Sequence, residues 1–317
     1  MSLVAWKEPY LLQVMLDDEP ENPRDEEDTF GCMVCWHRRY NLGEQHSFDT
    51  PNDFLKDLVL RTVPGNTLFD YVRSGQSHAV RLTSIPTTLK GEGQANRAIA
   101  GVKSPGQPGS EWKVEGYDTY TKEWYEEETF CGGFEEQKEE IMDCLIDILP
   151  NHDLLALAGK ENIVLPLFLY DHSGLSISAS SFVGREVHAE WDSGQVGWIY
   201  ATAGEVKETY GSVSTENMEK AKQCLLSEVK TYDAFLSGQC YGFRLYREGE
   251  EIQAKSGYFG FLPDIVKELA ADFLPESHKD MVENLKEIPD VRTYALGYED
   301  FMEELGYTES EEMEGIR

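Results

Sequence analysis

Residues 163–201 read IVLPLFLYDHSGLSISASSFVGREVHAEWDSGQVGWIYA, and their pattern decides how the rest of the chain is read. Residues 163–169 are an almost unbroken apolar run, the pattern of a short strand buried on both faces. Tyr170, Asp171, His172, Ser173 and Gly174 interrupt it with turn formers. Leu175, Ile177 and Ala179 then alternate with serines, so the chain returns as a half-buried strand. Trp191, Asp192, Ser193, Gly194 and Gln195 form a second polar knot, and residues 196–200 a third strand, with Trp198 expected in the core beside the first. Two polar knots therefore hang from the central strands. Asp171 and Asp192 are expected to approach each other there, together with Gln195.

Upstream, residues 9–16 are strand-like, and residues 17–28 are a solvated loop with eight acids against one base, Arg24. Residues 30–40 read as a second strand ending in His37, Arg38, Arg39 and Tyr40, followed by the turn chemistry of Asn41, Leu42 and Gly43. Thr50 is placed to cap a helix with Pro51 in its first turn and Asp53 three residues past the cap. Phe54, Leu55, Leu58 and Val59 make its buried face, and Pro64-Gly65 stops it. The pattern from 68 to 80 is ambiguous. Residues 86–116 are rich in Gly, Ser and Pro and read as an exposed loop or insertion. They lack the flanking elements and the GK[ST] or GxGxxG pattern of a phosphate-cradling loop. Residues 134–149 form an amphipathic helix on Ile141, Met142, Leu145, Ile148 and Leu149, ended by Pro150. Its first half carries Glu135, Glu136, Glu139 and Glu140, which the helix dipole favours there.

Downstream, Ser214 caps the longest helix, with Met218, Ala221, Leu225, Val229, Tyr232 and Phe235 on one stripe and Gly238 closing it. Residues 240–246 and 252–261 read as a hairpin around Glu248, Gly249 and Glu250. Pro263-Asp264 opens a last helix that buries Ile265, Val266, Leu269 and Phe273 and stops at Pro275. Residues 299–314 hold eight acids and no base and read as an acidic tail over 299–317. Regular βαβ alternation is missing and the later strands pair as hairpins. The fold class is therefore α+β, a mostly antiparallel sheet with packed helices in a single domain over 1–317.

Charge is the strongest compositional fact. With 59 Asp and Glu against 28 Lys and Arg, the formal net charge is −31. Such a chain repels nucleic-acid phosphates and anionic lipid and attracts basic surfaces, although acidity also serves solubility alone. No apolar run reaches the roughly 18–20 residues of a membrane span, and the N-terminal segment lacks the pattern of a signal peptide. A cytoplasmic location and no membrane partner are the expectation. Six cysteines are too few for a disulfide scaffold. Cys32 and Cys35 form a lone CxxC on a strand, where positions i and i+3 face opposite ways and cannot share a metal. No metal or cofactor is expected.

The segments GCMVCWHRRYNLG (31–43), LPLFLYDHSGLSIS (165–178) and WDSGQVGWIY (191–200) resemble a family of uncharacterised proteins carried by phages, plasmids and integrative elements of gut bacteria. AKQCLLSEVKTYDAFLSGQCYGF (221–243) and SGYFGF (256–261) resemble its C-terminal part. The resemblance implies a mobile-element accessory role and supplies no catalytic residues. It leaves out residues 86–116, in keeping with an insertion.

The candidate site comprises Asp171, His172, Ser173, Asp192, Ser193 and Gln195 converging above the strand ends. Consecutive Asp171, His172 and Ser173 cannot chain into a triad, the GxSxG signature is missing, and a tight turn explains the first knot equally well. His37, Arg38, Arg39 and Tyr40 are a candidate anion-binding site, with neutralisation of neighbouring acids as the alternative. Two functions follow. One is an acidic accessory protein that binds a basic partner protein, as a nucleic-acid mimic against a host defence enzyme, without binding nucleic acid itself. The other is a small-molecule hydrolase built on the two knots.

Overall fold

A computed structural model of the chain describes residues 2–25, 29–86 and 110–288. The first half runs β1 (Ser2–Lys7), β2 (Tyr10–Leu16), β3 (Cys32–Cys35), α1 (Pro51–Thr62), α2 (Gly65–Arg73), β4 (Val80–Pro86), β5 (Ser110–Asp118), β6 (Glu123–Cys131), α3 (Phe134–Ile148) and α4 (Asn151–Glu161). The second half runs β7 (Asn162–Asp171), β8 (Leu175–Ser178), α5 (Ala189–Asp192), β9 (Ser193–Thr202), α6 (Ala203–Tyr210), α7 (Thr215–Leu236), β10 (Cys240–Arg247), β11 (Glu250–Phe259), α8 (Leu262–Phe273), a 3-10 stretch (Glu276–Asn284) and β12 (Lys286–Ile288). The fold is α+β with antiparallel sheets. Strand orders are β11-β10-β2-β1-β12, β3-β9-β7-β8 and β4-β5-β6.

Contacts divide the described residues between two compact units. One is drawn from within Met1–Gly31, Pro166–Val196 and Gln223–Arg317, the other from Cys32–Leu165 and Gly197–Lys222.

In the first unit α8 lays Ile265, Val266, Leu269 and Ala270 on the five-stranded sheet, against Leu12, Val14, Phe243 and Leu245. The β10–β11 hairpin turns at Glu248 (φ 53°) and Gly249 (φ 89°), the positive-φ pair of a tight two-residue hairpin loop. Glu228 of α7 holds the chain ahead of β3. Its carboxylate accepts Arg24 Nη1 at 2.9 Å, Phe30 N at 2.6 Å and Gly31 N at 3.1 Å, while Arg24 Nη2 donates to Gly31 O at 2.5 Å. Five residues further along α7, Asp233 accepts Ser176 Oγ at 2.7 Å and Ile177 N at 2.8 Å and fixes β8.

In the second unit α1 forms as expected. Thr50 and Asp53 cap each other reciprocally and Phe54, Leu55, Leu58 and Val59 are buried. Trp198 is buried against Phe54, with centroids 5.8 Å apart, and edge-on to Trp36 at 6.0 Å. Gly197, opposite Cys35, is needed there because a Cβ would run into Val34 O. Asp153, 2 % exposed, accepts Tyr71 Oη at 2.7 Å and Ser77 Oγ at 2.6 Å. That pairing makes a buried carboxylate tolerable.

Several expectations are corrected. The strand expected over 30–40 is only β3, because Glu44 N donates to Met33 O (3.0 Å) and Glu44 Oε2 accepts Met33 N (2.5 Å), folding the chain back onto Met33. The segment 110–116, taken as loop, is strand in β5, paired along β4 and β6. Residues 87–109 and the acidic tail lie outside the described residues. Ser193, Gly194 and Gln195 are strand rather than turn. β7 is not buried on both faces along its length, since Leu167 and Leu169 are buried while Phe168 and Tyr170 are partly exposed. β1, α2, α4 and α6 lacked any sequence expectation.

Candidate functional site

The two knots meet at His172 and Asp192. Asp171 ends β7, and His172, Ser173 and Gly174 form the exposed turn to β8. Asp192 is the last residue of α5, and Ser193 and Gln195 begin β9. His172 Nδ1 lies 2.8 Å from Asp192 Oδ2, with the two side chains 44% and 33% exposed. Against an ionised carboxylate Nδ1 is the donor, and in the neutral ring that tautomer has its lone pair on Nε2, the arrangement of an oriented base. Ser193 is not its nucleophile, because its Oγ donates to Ala189 O at 2.6 Å and closes α5. Ser173 is exposed in the turn beside the histidine.

Three residues here were missed by sequence reasoning. Tyr170 stacks on His172 with centroids 5.9 Å apart, and its hydroxyl donates to Val187 O at 2.8 Å. Desolvation, then Glu186 and Asp192, raise its pKa. Phe182 stacks on the other side of Tyr170 at 5.4 Å. His188, at φ 59°, brings its ring to 5.8 Å from His172. The one sequence signal was a second histidine at a distance no motif specifies. No three His, Cys, Asp or Glu side chains among the described residues are grouped to hold a metal ion.

The basic segment lies elsewhere, in the second unit. Residues 36–46 leave β3, and Gly43 (φ 68°) brings them back to bridge Val34. They wall an open cavity of 660 Å³ whose lining includes Trp36, His37, Arg38, Tyr40, Glu44 and His46. The His37 and Tyr40 rings are parallel to within 2° at 4.9 Å, and Arg39 lies over Tyr40 at 5.4 Å. Trp36 donates from Nε1 to Phe48 O at 3.1 Å and packs on the His46 ring at 4.8 Å. His46 Nε2 donates to Cys35 O at 3.0 Å. The sequence marked His37, Arg38, Arg39 and Tyr40, and the structure adds Trp36 and His46.

A third feature is a groove of 380 Å³ along β6 and α3. Glu127, Glu128, Glu140, Asp143 and Asp147 line it with Phe130, Cys144 and Ile148. Lys56 pairs with Asp147 at 3.0 Å. Burial pushes the Cys144 thiol up to about 12, and Glu128, Glu127 and Asp147 add to the rise. The thiol stays protonated and inert at neutral pH. None of the six cysteines is in a disulfide.

No described helix is long and apolar enough to cross a membrane. No family model matches the chain, and neither the curated proteins nor the solved structures give a match.

Proposed function

We propose that this chain is an acidic accessory protein that binds a basic partner protein through the groove of β6 and α3. The observation that carries the reading is the convergence of five carboxylates on one groove, with Lys56 paired to only one of them. Solubility needs charge spread over a surface, whereas a concentrated patch creates a local potential that steers a basic partner. The net charge of −31 supports the same sign of partner and disfavours direct nucleic-acid binding. The finer reading is a nucleic-acid mimic that acts inside the cell against a host defence enzyme. The resemblance of residues 31–43, 165–178 and 191–200 to mobile-element proteins supports that setting.

The test is affinity capture from a host lysate at low and high salt, followed by titration of the captured protein. Affinity should fall steeply with ionic strength, since exposed charges are screened within about 10 Å at 0.1 M. Changing Glu127, Glu128 and Glu140 to Gln and Asp143 to Asn should weaken binding and leave thermal unfolding unchanged. A flat salt response, or a quadruple variant that binds like the parent, would remove the groove from the reading.

One observation favours a second reading, hydrolysis at the knots: the 2.8 Å His172–Asp192 pair. Its weakness is the nucleophile, since Ser193 is committed to Ala189 O. Turnover of a chromogenic ester that is lost in both His172→Ala and Asp192→Asn would favour this reading.

A further inference from the structure

The cavity of residues 36–46 is not used by either reading, and its lining holds one arginine and two histidines against a single carboxylate, Glu44, in a chain where acids outnumber bases. Arg38 lines it and is exposed. Every other described arginine has an ion pair, a hydrogen bond or a ring contact. Arg38 has none among the described residues. Acids outnumber bases by 59 to 28 in this chain, so a guanidinium without an ion pair is not what charge neutralisation alone would leave. Beside it, His37 Nδ1 accepts Arg39 N at 3.4 Å, which puts the proton of the neutral ring on Nε2 as a second donor. The cavity's carboxylate, Glu44, is directed to Met33 N and to the fold of the loop.

We propose that this cavity binds a small phosphate monoester carried on a planar ring, a compound of the size and chemistry of a nucleoside monophosphate. Arg38 supplies the planar fork that matches phosphate oxygens, and His37 an additional donor. Trp36, Tyr40 and His46 are aromatic residues of the same cavity wall, against which a planar ring would pack. A volume of 660 Å³ lies within the range of small-molecule sites and exceeds what inorganic phosphate needs. The occupant is small because the chain's net charge repels in proportion to the ligand's own charge. A monoester brings one or two charges within a Debye length, while a polynucleotide brings many.

The experiment is calorimetric titration of the full chain with adenosine monophosphate, inorganic phosphate, adenosine and a single-stranded oligonucleotide. The monophosphate should bind saturably, and phosphate or adenosine alone more weakly. Arg38→Ala should weaken the monophosphate by about 10- to 100-fold, the range of a charged hydrogen-bonding partner, and Arg38→Lys should restore part of it. Because Arg38 is exposed and makes no hydrogen bond, ion pair or ring contact among the described residues, both variants should unfold at the wild-type temperature. Absence of saturation with the monophosphate, equal affinity in Arg38→Ala, or tighter binding of the oligonucleotide would each overturn the assignment. The groove variants of the acidic reading should leave this titration unchanged, so the two proposals fail independently.

Discussion

Replacing Glu228 by alanine should destabilise the protein by about 3–5 kcal/mol, the cost of breaking a buried ion pair from one side. The Arg24 side chain is 2% exposed and that of Glu228 17%. The carboxylate accepts the guanidinium and the backbone amides of Phe30 and Gly31, so three donors lose a charged acceptor together. Hydrogen bonds to charged groups contribute about 1.5–3 kcal/mol each, but members of one network do not add in full. The dominant cost is the guanidinium left buried beside Gly31 O. Glu228→Gln keeps the shape and one acceptor oxygen and should cost less. Arg24→Leu combined with Glu228→Leu should recover the part of the loss that comes from the unpaired guanidinium, but not the part from the amides of Phe30 and Gly31, which stay without their acceptor. Urea unfolding followed by far-UV circular dichroism gives the free energy, and amide exchange at Phe30 and Gly31 gives the local opening. A Glu228→Ala protein within about 0.5 kcal/mol of wild type, the range of ordinary surface changes, with unchanged exchange at Gly31, would refute the reasoning.

Leu167, wholly buried on β7, should cost about 2–5 kcal/mol when changed to alanine, read by the same urea unfolding; a value near zero would remove β7 from the core. Alkaline pH should destabilise the fold. Burial first, then the bond to Asp153, raises the Tyr71 pKa from 10.0 to about 12, so above pH 10 the unfolded chain sheds a proton that the native chain keeps. Stability from Tyr71 is therefore whole below pH 10 and lost as pH rises toward 12, and Tyr71→Phe should flatten that part of the stability curve. Tyr200, raised to about 12 mainly by burial, should likewise stay silent in the tyrosinate absorbance near 295 nm until about pH 12.

The local sequence determined the elements whose signals are local. Thr50, Pro51 and Asp53 carry the whole start of α1, because a capping box needs only residues three apart. Glu248 and Gly249 carry the β10–β11 turn, with positive φ at both positions as a type I′ two-residue loop requires. The stripe Ile265, Val266 and Leu269 carries the buried face of α8. Other signals were misread where partners far along the chain overrule composition. Residues 110–116 look like loop, yet β4 and β6 supply ladders on both sides and make them strand. Residues 36–40 look like strand, yet Glu44 and Gly43 occupy Met33 and Val34 and turn the chain away. The sequence marked Asp171, His172 and Asp192 as chemically interesting and set Asp171 against Asp192, but it did not single out His172 as the hydrogen-bond partner of Asp192. A 2.8 Å contact across twenty residues depends on how β7, β8 and α5 are placed. Sequence reasoning singled out neither Glu228 nor Asp233 on the longest helix. Only the tertiary fold delivers the amides of Phe30, Gly31 and Ile177 to them, and with those amides their role in holding the chain together. Helix caps and tight turns are set within a few residues, whereas strand partners, buried carboxylates and the lining of a cavity are set by segments that meet only when the chain has folded.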